Sequence, residues 1–322
     1  VRLQTRRCWL LALLLAAPLT PVAAQGAPEK LSLTRDHRGK KVTITAELLL
    51  PPGAGKVPAM VIHHGSGGVR AERERRYARE MVGLGIAALI LDSFKGRGIA
   101  STVQDQARVS SAEMAHDAFA ALKALADHPR IDGKRVGYMG FSKGATAALL
   151  AAHESRAERA LPPGLRFALH VLLYPWCGSH YYKPKSTGAP IYMLLGGADT
   201  YVGVAPCQEY AAALKAEGAQ IDVVVYPGAG HGFDAARASY FDPRGENQSR
   251  CVFVQQPDGA WKERTSGLTT NDAQGLPIPA AYKRALAACR TYGVGGGPNE
   301  AAKAKAMAAL KGYVQRHLLD AR

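Results

Sequence analysis

The chain has 322 residues, a formal charge of +15 and 47% hydrophobic residues, a size that suits one large domain or two small ones and leaves ample room for a core. Its basic residues are scattered and interleaved with glutamates, as from Arg70 to Arg79, and no nucleic-acid-binding motif accompanies them. The charge therefore reads as a solvated basic surface, and no nucleic-acid partner is expected.

Residues 1–24 read as a secretory signal peptide. Arg2, Arg6 and Arg7 precede an apolar run from Cys8 to Ala17, Pro18 to Pro21 breaks it, and Val22-Ala23-Ala24 supplies small residues for cleavage. The run is short for a bilayer span, and no later one approaches the roughly 20 residues a spanning helix needs. An uncleaved anchor is the weaker alternative. The expected mature chain begins near Gln25, lies in the periplasm or outside the cell, and has no stable membrane insertion. Without Cys8 it keeps Cys177, Cys207, Cys251 and Cys289. Four cysteines in an oxidising compartment suggest disulfides with three possible pairings. Cys177–Cys207 with Cys251–Cys289 is preferred, because each bridge then stays within one local region. No clustered His/Cys spacing suggests a metal.

Residues 31–34 and 42–50 read as short strands with Gly39 at the turn between them. Strand-like runs follow at 59–63, 86–91, 135–139, 167–174, 191–195 and 221–226, with helical patterns at 70–84, 112–126, 143–154 and 207–217. Apolar strands alternating with amphipathic helices predict a mostly parallel sheet covered on both faces, with an antiparallel edge at its start. The stretch 235–298 breaks this rhythm. It is rich in polar, glycine and aromatic residues, with one short helical pattern at 280–288, and reads as an insertion facing the substrate. A helix at 300–319 closes what reads as a single domain, residues 25–322.

Gly140-Phe-Ser-Lys-Gly144 lies between a strand and a helix, the setting of a nucleophile elbow. A serine on so tight a turn, with φ > 0, presents Oγ above the sheet, and the residues two before and two after it must be small. A serine also needs a base and a carboxylate to orient that base. Asp199 follows the run 191–195 in Gly196-Gly197-Ala198-Asp199, and His231 sits in the glycine-rich loop 227–233 after the run 221–226. Ser142, Asp199 and His231 thus occur in the required order, each at a strand end. Asp199 on its own would read as a turn cap. Asp92 is a minor alternative acid, and Asp234 is too close to His231 in sequence to orient it from a strand end. His153 and His170 suit structural roles, while His180, in a tyrosine-rich loop, is a candidate for the cleft wall. The oxyanion needs backbone N–H donors. Lys143, at the start of a helix, supplies one, and the loop His63-His64-Gly65-Ser66-Gly67-Gly68 supplies another at Ser66, with Gly67 next. The adjacent His63 and His64 diverge and have no carboxylate partner at ligand spacing, so they do not suggest a metal. Tyr181, Tyr182, Tyr201, Phe233, Tyr240, Phe241 and Trp261 are candidates for an apolar cleft.

Taken as a set, His-His-Gly-Ser-Gly-Gly, Asp92-Ser93-Phe94 with the following Gly-Arg-Gly, Gly-Phe-Ser-Lys-Gly, Gly-Ala-Asp-Thr-Tyr-Val with Ala-Pro-Cys, and Gly-His-Gly-Phe-Asp resemble the dienelactone hydrolase family. The resemblance covers about residues 40–235 and the last helix. It implies an α/β-hydrolase fold and hydrolysis of a small-molecule ester or lactone without metal or organic cofactor. The family's namesakes carry cysteine at the elbow, where this chain has Ser142, and that departure, the insertion and the leader point to an exported serine branch. The expected function is carboxylic-ester or lactone hydrolysis through an acyl-enzyme. A peptidase or acyl-peptide hydrolase on the same fold is the alternative, and a non-catalytic periplasmic binding protein is a third reading.

Overall fold

The structure, a computed structural model, describes residues 27–37, 39–236, 238–271 and 278–320. The expected signal peptide and its cleavage point lie outside the described residues. Strands β1 (Glu29–His37) and β2 (Lys40–Leu49) form an antiparallel hairpin. Then come β3 (Val57–His63), α1 (Ala71–Gly83), β4 (Ala87–Asp92), α2 (Ser111–Ala126), β5 (Ile131–Phe141), α3 (Lys143–Ala151) and α4 (Glu154–Ala160). They are followed by β6 (Leu169–Leu173), the short β7 (Ser179–His180), β8 (Ile191–Gly196), α5 (Ala205–Ala216) and β9 (Ile221–Tyr226). The main sheet has eight strands in the order β1-β2-β4-β3-β5-β6-β8-β9. From β4 to β9 every pairing is parallel, while β2 joins β4 antiparallel. This is the expected α/β architecture with its antiparallel edge.

Alternation along the central strands divides the core. Ala59 and Val61 of β3 face one apolar layer with Phe119, Leu122 and Leu149, contributed by α2 and α3. Met60 and Ile62 face the other, with Tyr77 and Met81 of α1 and Leu310 and Val314 of α7 (Glu300–Val314). Side chains two residues apart share a face of a strand, so a strand buried on both faces reads as an unbroken apolar run.

Several expected boundaries move, and the closing helix expected over 300–319 keeps its α-helical geometry only to Val314. Tyr174 adopts φ 43°, which a strand cannot hold, and β6 stops at Leu173. The helix expected over 143–154 ends at Ala151, and a new one starts at Glu154 after His153 in extended conformation.

The segment 235–298 holds more order than its composition suggests. Beside α6 (Pro279–Cys289) it forms β10 (Tyr240–Asn247), β11 (Phe253–Gln255), β12 (Trp261–Glu263) and β13 (Thr291–Gly296). β10 pairs with β13, and β11 adds to β7, which tethers the insertion to the loop after β6. These strands lack an alternating apolar pattern: β10 carries Asp242-Pro243-Arg244-Gly245 and bulges there, and β13 has three glycines in six residues. Cys177 is bonded to Cys207 and Cys251 to Cys289, the preferred pairing. The first bridge joins the loop after β6 to α5, and the second closes the small apolar cluster of the insertion. Among the described residues no helix is long and apolar enough to cross a membrane.

Candidate active site

β5 runs into α3 through Ser142, whose φ of 52° and ψ of −115° place it in strained backbone at the carboxyl end of the sheet. The flanking glycines are sterically required. A Cβ on Gly140 would collide with the Gly144 carbonyl carbon, and one on Gly144 would stand 2.5 Å from the carbonyl oxygens of His63 and His64. The Ser142 hydroxyl donates to His231 Nε2 at 2.9 Å, and His231 Nδ1–H donates to Asp199 Oδ2 at 2.8 Å. Asp199 Oδ1 accepts the Tyr201 and Val202 backbone N–H groups at 2.9 and 3.1 Å. Both carboxylate oxygens are therefore engaged, and the imidazole keeps Nε2 as acceptor toward the serine. Tyr174 and Tyr201 flank the His231 ring with centroids 4.9 and 4.6 Å away, which limits its rotation.

Lys143 opens α3 beside the serine. Across from it, the loop after β3 packs so closely that a Cβ on Gly65 would stand 3.3 Å from Ser142 Cβ. The Ser66 and Gly67 peptides follow directly. His64 shapes this loop: its Nδ1–H donates to Gly65 O at 2.8 Å and its Nε2 accepts the Ser93 N–H at 3.1 Å. His63 is bonded to Tyr138 and Ser93, each at 2.8 Å. Burial lowers the pKa of both imidazoles, so each stays neutral. Among the described residues no group of three His, Cys, Asp or Glu side chains converges as a metal site.

Gln106, in the irregular stretch between β4 and α2, ties the two sides together. Its Oε1 accepts from Ser66 Oγ at 2.9 Å and from Lys143 Nζ at 3.0 Å, and its Nε2 donates to the Tyr201 hydroxyl at 3.2 Å. Lys143 Nζ also donates to Gln106 O and Thr102 Oγ1, at 2.7 and 3.0 Å. Burial depresses the pKa of this ammonium to about 7. Sequence reasoning does not single out Gln106, because the stretch has neither periodicity nor a motif. Support from the insertion was equally hidden. Gly297 N–H donates to His231 O at 3.0 Å, a Cβ on Gly296 would collide with that oxygen, and Glu246 Oε2 accepts the Gln106 N–H at 2.9 Å.

The secondary candidates separate cleanly. Asp92 Oδ1 accepts the Phe94 and Lys95 N–H groups, both at 2.9 Å, and so caps a turn, whereas the carboxylate bonded to His231 is that of Asp199. Asp234 accepts the Tyr174 hydroxyl at 2.6 Å. His180 stacks on Tyr210 and bonds Pro206 O, while its neighbours Ser179 and Tyr181 line the cleft. His153 bonds the Tyr210 hydroxyl and borders the cleft, and His170 lies in the core. Tyr181, Tyr182, Tyr201 and Trp261 line a cavity of about 910 Å³ that reaches Ser142, with further walls from the insertion. Tyr240 lines a smaller space of about 100 Å³ that also reaches Ser142. Phe233 is core, and Phe241 is 71% exposed outside both spaces.

A predominantly parallel sheet with a strained serine between strand and helix defines the α/β-hydrolase superfamily. A model of the dienelactone hydrolase family matches residues 44–252. A candidate carboxymethylenebutenolidase of Methylorubrum extorquens is 28% identical over 218 residues, covering 61% of this chain and 70% of that protein. Among solved structures, esterase 2 of Thermogutta terrifontis, phosphoramylated by tabun, superposes with TM-score 0.52 at 18% identity, covering 68% of this chain and 90% of its own. A dienelactone hydrolase-like promiscuous phosphotriesterase from metagenomic libraries gives TM-score 0.53 at 18% identity, covering 91% and 99%. At these identities the superpositions establish the fold. The family match, spanning well over half of the chain, establishes membership: the chain belongs to the dienelactone hydrolase family.

Proposed function

We propose that the protein is a serine carboxylic-ester hydrolase working through an acyl-enzyme. The observation that carries this reading is the unbroken hydrogen-bond line from Ser142 Oγ through His231 to Asp199. His231 Nε2 takes the hydroxyl proton as Oγ attacks the ester carbonyl, and Asp199 holds the imidazole in its productive tautomer and balances the imidazolium. The developing oxyanion is received by the Lys143 N–H and by Ser66 N–H, with Gly67 N–H next to it. His231 then returns its proton to the leaving alcohol. Water, deprotonated by the same imidazole, hydrolyses the acyl-enzyme to free acid and regenerated serine.

The two disulfides support a working life in an oxidising compartment, periplasmic or extracellular. We take residues 25–322 as one α/β-hydrolase domain with the insertion as part of its cleft. Replacing Ser142 by alanine is expected to lower kcat/KM on p-nitrophenyl esters by roughly 10⁴-fold or more, with an unchanged circular dichroism spectrum and no labelling by a fluorophosphonate probe. Retained turnover in that variant would sink the proposal.

A further inference from the structure

Ser142 opens onto two unequal spaces. Ser66, Ser142 and Tyr201 border both the cavity of about 910 Å³ and the space of about 100 Å³. Of the two, His231 borders the small one, together with Gly67, Tyr174, Gly232 and Tyr240. A general acid must stand within hydrogen-bond reach of the oxygen it protonates. In the proposed reaction that oxygen belongs to the leaving alcohol, so the alcohol must sit on the imidazole side. The acyl substituent, bonded to the same carbonyl carbon, then extends the other way into the large cavity.

Chemistry follows size. Part of the large cavity's wall is made of the rings of Trp176, Tyr181, Phe253, Trp261 and Tyr282, beside charged side chains that include Arg156 and Lys183. Tyr181 and Trp261 meet edge to face with centroids 4.8 Å apart, and Phe253 stacks on Tyr282 at 5.1 Å. A wall of clustered rings favours contact with a flat aromatic guest, and a volume of this order takes a drug-sized group. The small space takes a short alkyl or hydroxyalkyl group.

Resting on the serine-esterase reading above, we propose that the natural substrates are esters of a bulky aromatic carboxylic acid with a small alcohol. The Oγ–acyl bond forms and the acyl–alkoxy bond breaks. The alcohol leaves with the proton from His231 Nε2, and water supplies the hydroxyl of the released aromatic acid.

Methyl naphthylacetate and naphthylmethyl acetate test this directly. They are isomers whose leaving alcohols have similar acidity, and they differ in which side of the ester carries the ring. The methyl ester of the aromatic acid is expected to have the higher kcat/KM by about tenfold or more, the size of discrimination a shaped apolar pocket gives. Lengthening its alcohol from methyl to butyl is expected to lower kcat/KM, and Tyr240→Ala, which enlarges the small space, to restore part of that loss. Equal rates on the isomers, or a preference for the acetate, would overturn the inference. If p-nitrophenyl acetate is hydrolysed through Ser142 in that case, the esterase reading survives and only the orientation fails. If neither isomer nor p-nitrophenyl acetate is turned over and the fluorophosphonate leaves Ser142 unlabelled, the esterase reading fails and the substrate assignment falls with it.

Discussion

Lys143 carries two tasks in one residue. Its backbone opens α3 beside the serine, while its buried ammonium binds Gln106 and Thr102. Burial is the largest influence on that ammonium and lowers its pKa from 10.5 to about 7. The unfolded chain therefore binds more protons than the folded one between those values, and stability rises with pH across that window. Lys143→Met removes this contribution. The stability of wild type relative to the variant, from urea unfolding, is expected to rise by about 2 to 3 kcal/mol between about pH 6 and about pH 9; a difference that does not change with pH would contradict the burial argument. Ser142, Asp199 and His231 could be singled out in the sequence because their neighbours are specific: glycines that steric crowding demands, and strand ends that fix direction. Gln106 could not, since one glutamine in an irregular stretch becomes a hub only through the chain that folds around it.

At the scale of elements, the central strands were readable because burial on both faces writes itself as continuous apolar runs. β10 and β13 were not, because they pair over a bulge and through glycines, and their few buried positions do not alternate. Their effect on the site is nevertheless direct. The end of β13 grips the His231 carbonyl, with Gly297 donating a hydrogen bond and Gly296 leaving no room for a side chain. Gly296→Ala is expected to displace the His231 loop and to lower kcat by roughly 10- to 100-fold, since small errors in placing a catalytic group are costly. The thermal midpoint should change little if the disturbance stays local. A variant with wild-type kcat would show that β13 does not position the imidazole.

Across the molecule, five imidazoles among the described residues have a pKa lowered chiefly by burial: His63, His64, His153, His170 and His180. Each is neutral in the folded chain and free to protonate once unfolded, so its contribution is present above about pH 6.5 and is lost as the pH falls. For His153 and His170, both lowered to about 3, the loss between about pH 7.5 and pH 5.5 is about 2 to 3 kcal/mol together. A urea midpoint that falls steeply below about pH 6.5 is the expected result, and a flat one would refute it. The insertion has a further consequence for how such proteins can change. A lid that only covers a cleft can be exchanged between relatives like a removable part. Here 235–298 also braces His231 and Gln106, so a chimera that swaps this segment alone inherits another protein's cleft wall without its own support for the imidazole. New specificity in this scaffold has to be acquired together with the loops at 102–106 and 227–233, as one inherited unit.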